Sequence, residues 1–280
     1  MNQPNPQVAV IGGSGLYELI ENPRKIEVRT PFQDAPVRLS QGQFAGREVA
    51  FLARHGGGHS VPPQRINYRA NIWALASLGI RAIFASAAVG SLNPQLRPDT
   101  FAVPDQLIDR TRGRDDTFFD GEDVQHLPFA DPFCPGVRAA LIAGQQQVGE
   151  RFAAEATTVV IQGPRFSTRA ESRALRALGG DLVNMTQYPE SALAAELGIG
   201  YASLAFITDM DAGVPGGAGE DEAVTADAVI ARLFAARVRM VAGIEAGIRE
   251  LPADYRPRTL IAPDAVAHVL RQAPLERGAA

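Results

Sequence analysis

The chain has 280 residues, of which 46% are hydrophobic and 21% are charged, a balance that is typical of a folded globular protein. This length allows one large α/β domain or two small ones, and it excludes a small disulfide scaffold or a disordered tail. The 27 basic and 31 acidic residues leave a net charge of −4, so no overall positive field would attract nucleic acid or an acidic membrane surface.

Short apolar, β-branched runs predict strands, and the longer segments between them predict helices. The predicted strands are 7–11, 48–53, 82–86, 100–103, 157–162, 181–184 and 201–208. The predicted helices are 67–78, 136–149, 169–178, 190–197 and 222–249. This alternation predicts an α/β protein whose central sheet is covered on both faces.

Two connections, 104–135 and 212–221, are long and loop-like, and connections of that length often carry function. No internal repeat or change in composition divides the chain. We therefore expect one domain over residues 7–251, followed by a C-terminal helical extension and tail over residues 252–280.

The first predicted strand ends in the glycine turn 12–15, where backbone N–H groups and the Ser14 hydroxyl are suited to bind an anion. A dinucleotide-binding turn is the alternative, but Glu18 stands where its third glycine should fall. Arg54 and His55 follow the second predicted strand and precede further glycines, which let a ligand approach the backbone. If the two strands are parallel, both segments converge on one anion.

The other reactive groups of the sequence exclude several kinds of site. The only cysteine, Cys134, cannot form an intrachain disulfide or a Cys-rich zinc site, and we find no export signal or membrane-spanning run. We therefore expect a cytoplasmic protein with no membrane or nucleic-acid partner. The only lysine, Lys25, has no glycine nearby, which excludes a P-loop lysine and leaves anion binding to arginine. None of the four histidines lies in an H-E-x-x-H pattern, so we expect no metal site.

Two carboxylates, Asp209 and Asp211, follow the last predicted strand. A single aspartate there is often only a helix cap, but two of them two residues apart allow one to be desolvated and to hold a proton near neutral pH. Metal binding is the competing use, and acid catalysis is favoured because no further ligand lies in the neighbouring sequence.

Several separated motifs occur together in the order of the purine nucleoside phosphorylase family, which the chain resembles over about residues 8–211. These motifs are IGGSGL at 11–16, RHG at 54–56 with His59, NYRANIWAL at 67–75, GSL at 90–92, GPRFSTRAES at 163–172, NMT at 184–186, PE at 189–190 and TDMD at 208–211. Within the family, the resemblance favours the branch that cleaves S-methyl-5′-thioadenosine.

The resemblance implies a single α/β domain with a central mixed, partly barrel-like sheet flanked by helices, assembled as a homotrimer. It also implies cleavage of a purine nucleoside by inorganic phosphate, which is a co-substrate, with no metal or organic cofactor. The expected products are adenine and 5-methylthioribose 1-phosphate, and the expected partners are a small-molecule nucleoside and phosphate.

The resemblance also assigns roles to single residues. The phosphate contacts would be Ser14, Arg54, His55, Ser86, Ala87 and Thr186. Alanines stand at 87 and 88 where the family often offers a threonine hydroxyl, so Ser86 or backbone N–H groups would have to serve there. The substrate contacts would be Phe166, Ser167, Met185, Val229, Ile230 and, lent by a neighbouring subunit, His126. Asp209 and Asp211 would be the catalytic carboxylates that recognise the base.

The chemistry leaves rival functions open. Phosphorolysis needs an anionic nucleophile on one side of an oxocarbenium-like sugar and a proton donor for the departing base on the other. A nucleosidase that uses water would need no anion site. The enzyme alternatives within the family are a methylthioinosine or general purine nucleoside phosphorylase. The non-enzymatic alternative is a module that binds nucleoside or phosphate.

Overall fold

The structure is a computed structural model that describes residues 7–214 and 224–275, without the side chain of His59. Most of the glycine-rich insert at 213–219, the first residues of the helix predicted at 222–249 and the end of the predicted tail lie outside the described residues. Within the described ranges, no helix is long and apolar enough to cross a membrane.

Strands and helices are interspersed along the chain, as the sequence predicts, although four strands precede the first α-helix. The strands are β1 Val8–Gly12, β2 Arg24–Thr30, β3 Gln33–Phe44, β4 Arg47–Ala53, β5 Ala82–Ser91, β6 Phe101–Ala102, β7 Gln106–Arg110, β8 Phe152–Ala153, β9 Thr157–Ile161, β10 Leu182–Asn184 and β11 Gly200–Met210. The helices are α1 Tyr68–Ser77, α2 Pro135–Val148, α3 Arg169–Ala177, α4 Gln187–Glu196, α5 Ala226–Glu250 and α6 Pro263–Leu270.

The strands form one mixed sheet that branches at its longest central strands. Its main path runs β2-β3-β4-β1-β5-β10-β9-β7, while β11 lies along β5 and also pairs with β6. Strands β4, β1, β5 and β11 are mutually parallel neighbours, so their carboxyl ends meet at one edge. The expected single α/β domain with a mixed, partly barrel-like sheet and flanking helices is confirmed.

Helices cover both faces of this sheet. In β1, Ala9 and Ile11 belong to the apolar cluster that also contains residues of α1, α4 and α6, whereas Val8 and Val10 belong to the cluster with α2 and α5. A strand buried on both faces is hydrophobic at consecutive positions, which explains the unbroken apolar run that predicted it.

One predicted connection and the end of one predicted strand need correction, and one hairpin is missing from the prediction. Strand β7, Gln106–Arg110, lies inside the segment 104–135, which the sequence analysis treats as a loop. The antiparallel hairpin of β2 and β3 is not predicted at all, because its residues are largely polar and half-exposed. Strand β5 also extends past residue 86 to Ser91, which brings Gly90 to the carboxyl edge.

The C-terminal helix α6 packs on the body of the protein. Trp73 Nε1, on α1, donates a hydrogen bond of 3.1 Å to the Val269 carbonyl, and Ala265 and Val269 belong to the same apolar cluster as α1. The boundary at residue 252 stays a prediction.

Candidate active site

A cavity of about 360 Å³ opens at the carboxyl edge of the parallel strands, within the size range of small-molecule sites. The ends of β1, β4, β10 and β11, the second half of β5 and the first turns of α5 all contribute to it. Of the residues predicted from sequence, the cavity lining contains Ser14, Arg54, His55, Ala87, Phe166, Met185, Thr186, Asp209, Asp211, Val229 and Ile230.

Hydrogen bonds join the glycine turn after β1 to β4 and β5. The Gly13 N–H donates to Ser86 Oγ at 2.8 Å, and the Arg54 N–H donates to the Gly12 carbonyl at 2.9 Å. A Cβ at Gly13 would lie 2.7 Å from the Ser86 carbonyl oxygen and 2.8 Å from the Arg54 guanidinium. The turn therefore needs glycine at this position so that the arginine can lie against it.

Arg54 is held in place by a buried carboxylate. Its Nε and one terminal nitrogen donate to the two carboxylate oxygens of Glu190, each at 2.6 Å, and its other terminal nitrogen donates to the Ser86 carbonyl at 2.9 Å. Both side chains are 1% exposed, and Tyr201 Oη donates to Glu190 at 2.8 Å. Burial alone would lower the pKa of Arg54, but Glu190 outweighs it and the pKa is raised. Each terminal nitrogen keeps one further N–H, so two donors remain after these bonds.

His55 and Thr186 are two further buried polar side chains that line the cavity together with Arg54. His55 Nδ1 donates to the Val61 carbonyl at 2.9 Å, which fixes the orientation of the ring. The N–H groups of Thr186 and Gln187 both donate to Asn184 Oδ1, at 2.7 and 2.8 Å. Asn184 thus shapes the turn that presents Thr186 at the start of α4.

Asp209 and Asp211 lie beside Gly90 of β5 at the same cavity. A Cβ at Gly90 would lie 3.0 Å from Asp209 Oδ1 and 3.4 Å from Asp211 Cβ, so glycine provides the room for both carboxyl groups. Thr208 Oγ1 lies 2.6 Å from Asp209 Oδ2, and Ser172 Oγ lies 2.5 Å from Asp211 Oδ2. The side chain of Arg232, on α5, donates to the Thr208 carbonyl.

Burial gives the two carboxyl groups unusual acidities. Burial raises the pKa of Asp209 to about 6, with a further increase from the charge of Asp211 and opposing effects of the Thr208 hydroxyl and Arg232. Burial also raises the pKa of Asp211, while the hydroxyls of Ser172 and Ser167 and the N–H of Ala212 oppose it. Asp209 is therefore suited to hold and release a proton near neutral pH.

The sides of the cavity are apolar. Met185 packs against Gly163, because a Cβ added at Gly163 would lie 2.6 Å from the Met185 sulfur. Phe166, three residues after Gly163 on the same loop, also lines the cavity. Val229 and Ile230 come from the start of α5, which Thr225 caps by accepting from the Ala228 N–H. These groups offer contact area for a flat base and an apolar substituent.

Three predicted residues lie outside the cavity lining. Ser86 lies behind the lining, where its hydroxyl accepts a hydrogen bond from the Gly13 N–H and its carbonyl accepts one from Arg54. Ser167 lines a neighbouring surface cavity. Its hydroxyl makes no well-aligned hydrogen bond within the described residues, but it lies near enough to Asp211 to lower the pKa of that carboxyl group. His126 is exposed on the connection between β7 and α2, and the side chain of His59 lies outside the described residues.

The sequence patterns give no individual role to Glu190, Tyr201, Asn184 or Ser172. Glu190 directly precedes the largely apolar run 191–195 of α4, and a charge beside such a run indicates a buried partner, since an unpaired buried charge is costly. Nothing local indicates that this partner is Arg54, 136 residues away.

The chain is similar to a known protein family and to several of its members. A family model described as the Phosphorylase superfamily matches residues 7–242. A 6-oxopurine nucleoside phosphorylase of Pyrococcus furiosus is 48% identical over 219 residues, covering 75% of this chain and 82% of that protein. An S-methyl-5′-thioadenosine phosphorylase of Mycolicibacterium smegmatis is 51% identical over 215 residues, covering 76% of this chain and 80% of that protein.

Solved structures show the same similarity in three dimensions. A methylthioadenosine phosphorylase from Schistosoma mansoni, in complex with adenine, superposes with a TM-score of 0.83 at 35% identity. The superposition covers 95% of this chain and 97% of that one. With the family match across most of its length and relatives that are about half identical, this chain belongs to the phosphorylase superfamily and is a nucleoside phosphorylase.

Proposed function

We propose that the protein cleaves S-methyl-5′-thioadenosine with inorganic phosphate, giving adenine and 5-methylthioribose 1-phosphate, without a metal or organic cofactor. The observation that carries this proposal is that one cavity joins a fixed arginine, Arg54, to a carboxyl group, Asp209, whose pKa is raised to about 6. Phosphorolysis requires both a bound anionic nucleophile and a proton donor for the leaving base.

The anion end of the cavity supplies the nucleophile. Ser14, Arg54, His55, Thr186 and the backbone at Ala87 would hold phosphate through hydrogen bonds, with Arg54 as the charge-assisted donor. Because Glu190 balances the charge of Arg54, donor geometry rather than excess positive charge would orient the phosphate oxygen toward the sugar carbon. The C–N glycosidic bond breaks as the phosphate oxygen forms its bond to that carbon.

The carboxyl end of the cavity receives the base. As electrons from the breaking bond flow into the purine, protonated Asp209 would donate its proton to N7, so that the base leaves neutral. Phe166 and Met185 would contact the base and the ribose from the apolar side. Ser167 would act from outside the lining, through its effect on Asp211.

The proposed purine is inferred from the hydrogen-bond donor and acceptor that the carboxyl pair presents. A 6-amino purine offers a donor at its exocyclic group and an acceptor at N7, which a carboxylate and a carboxylic acid match. A 6-oxo purine offers acceptors at both places, which suit an amide better. Asp209 and Asp211 therefore favour adenine nucleosides, and apolar Val229 and Ile230 favour a methylthio group over a 5′ hydroxyl.

We expect a substrate panel with saturating phosphate to rank methylthioadenosine first in kcat/KM, ahead of methylthioinosine, adenosine and inosine. A site that bonds one edge of its ligand rejects the mismatched edge by up to about 10⁴-fold, and an adaptable carboxyl group gives less. A preference for methylthioinosine at equal concentration would overturn Asp209 as an adenine reader and leave the phosphorylase assignment intact. That outcome is the second candidate function, because one of the similar relatives is named a 6-oxopurine enzyme.

The exposed position of His126 supports the proposal of a shared site in a homotrimer. On one chain this residue lies outside the cavity lining, as a side chain lent to a neighbouring subunit would. We expect light scattering to give three times the monomer mass, and His126→Ala to raise KM for methylthioadenosine while KM for phosphate stays unchanged. An active monomer would contradict the shared site.

A further inference from the structure

Ser172, on α3, is a buried hydroxyl that touches a carboxyl group of the site without lining the cavity. We propose that Ser172 is a positioning residue that determines purine specificity, because its hydroxyl keeps Asp211 as a hydrogen-bond acceptor and leaves the proton on Asp209. This inference rests on the proposed function and concerns the same site.

The local geometry fixes the direction of this hydroxyl. Ser172 is 1% exposed, and its Oγ lies 2.5 Å from Asp211 Oδ2 and 3.1 Å from the Thr168 carbonyl. A hydroxyl has one hydrogen, and the shorter contact is the one to the carboxyl oxygen, so the donor is directed at Asp211.

The start of α3 holds Ser172 in this position. Thr168 and Glu171 form a capping box, in which the Thr168 hydroxyl accepts from the Glu171 N–H at 3.1 Å and Glu171 accepts from the Thr168 N–H at 2.8 Å. Glu171 also pairs through both oxygens with Arg165, each at 2.7 Å, next to Phe166 on the cavity loop. The base-contacting loop and the donor to Asp211 are therefore joined by the hydrogen bonds of one turn.

The two carboxyl groups receive unequal support. Asp211 has the Ser172 hydroxyl, the Ala212 N–H and the nearby Ser167 hydroxyl, all of which favour its ionised form. Asp209 accepts one hydrogen bond, from the Thr208 hydroxyl, which also lies 3.2 Å from the Val89 carbonyl, and the charge of Arg232 is the only other influence that favours its ionised form among the described residues. When two neighbouring carboxyl groups compete for one proton, the group with fewer donors keeps it.

The other charged groups around Asp211 come from three elements. Glu171 on α3 is negative and disfavours the ionised form of Asp211, and Asp209 on β11 would do the same if it lost its proton. Arg169 on α3 packs against Gly213, and Arg232 on α5 contacts the strand end at Thr208. Of the two hydroxyls that favour ionised Asp211, that of Ser172 makes the aligned hydrogen bond, at 2.5 Å, and Ser172→Ala removes it.

Specificity follows from the protonation state that Ser172 supports. An ionised Asp211 can only accept, so it binds the 6-amino group and repels the oxygen of a 6-oxo purine. Without the hydroxyl, Asp211 takes up a proton more readily and can donate to that oxygen. At the same time its reduced charge lowers the pKa of Asp209.

The test compares Ser172→Ala with Ser172→Thr, which keeps a hydroxyl, and with Ser77→Ala. Ser77→Ala controls for the loss of a helical serine hydroxyl away from the site, because Ser77 lies on α1 and its Oγ donates to the Ala74 carbonyl at 2.9 Å. For each variant, kcat/KM is measured from pH 5 to 9 with methylthioadenosine and with methylthioinosine. The ratio of the dissociation constants of free adenine and hypoxanthine measures the preference for a 6-amino over a 6-oxo base without requiring turnover.

We expect Ser172→Ala to lower the ratio of 6-amino to 6-oxo activity at least about tenfold and to move the alkaline decline of kcat/KM to lower pH. Ser172→Thr and Ser77→Ala should keep the wild-type ratio. Equal losses on both substrates with an unmoved pH profile would overturn the proposal, and so would an unchanged ratio of base affinities. A wild-type enzyme that releases base without phosphate would instead contradict the proposed function, while the base-affinity ratio would still test Ser172.

Discussion

Replacing Asp209 with asparagine is expected to lower kcat/KM for methylthioadenosine by about 10²- to 10⁴-fold, the range for loss of a positioned general acid. An amide can donate a hydrogen bond to N7 but cannot transfer a proton to it. The same amide can donate to the oxygen of a 6-oxo purine. Relative use of methylthioinosine should therefore rise in the variant.

The dependence of kcat/KM on pH distinguishes two possible causes of low activity in Asp209→Asn, namely loss of the general acid and disruption of the structure. Burial raises the pKa of Asp209 to about 6, and in the proposed mechanism the protonated form is the active one. In the wild type, kcat/KM at saturating phosphate should therefore fall as pH rises through about 6. This decline should be absent in Asp209→Asn and unchanged in the exposed control Asp254→Asn. A wild-type profile that rises over this range would contradict the role of Asp209 as the acid.

Replacing Arg54 with alanine is expected to damage both stability and phosphate use, for two separate reasons. The substitution leaves Glu190 as an unpaired buried carboxylate, which costs about 3–5 kcal/mol of unfolding free energy. It also removes a charge-assisted donor worth about 1.5–3 kcal/mol, which raises KM for phosphate about 10- to 150-fold. Nucleoside binding in the absence of phosphate should change little.

A second variant distinguishes these effects. In the double variant Arg54→Ala with Glu190→Ala, the unpaired charge is gone, so unfolding by urea should show that part of the lost stability returns. Phosphate use should not return with it, because the donor is still missing. If the double variant regains the wild-type KM for phosphate, Arg54 acts only through stability and does not contact the nucleophile.

The edge of the sheet that carries the site is predictable from local patterns. Each buried strand ends in a polar or glycine-rich segment, as at Ser14, Arg54 and Asp209, and parallel neighbours place such ends together. The hairpin of β2 and β3 escapes prediction because its polar, half-exposed residues lack the apolar run that marks β1.

The contacts that tune the site are not predictable in this way. Glu190 pairs with Arg54 across 136 residues, and Ser172 reaches Asp211 across 39. Such pairs depend on how α3 and α4 pack against β11 and β4, which no local pattern encodes. The sequence can therefore indicate which residues react, while their acidity and orientation come from residues on other elements.

The dependence of adenine release on phosphate distinguishes phosphorolysis from hydrolysis. Purified protein is incubated with methylthioadenosine at increasing phosphate concentrations, and adenine and the sugar product are quantified together. We predict that adenine release saturates with phosphate, is absent without it and yields one equivalent of 5-methylthioribose 1-phosphate per adenine. Adenine release at the same rate without phosphate, with free methylthioribose as the product, would show that water is the nucleophile and would contradict the account.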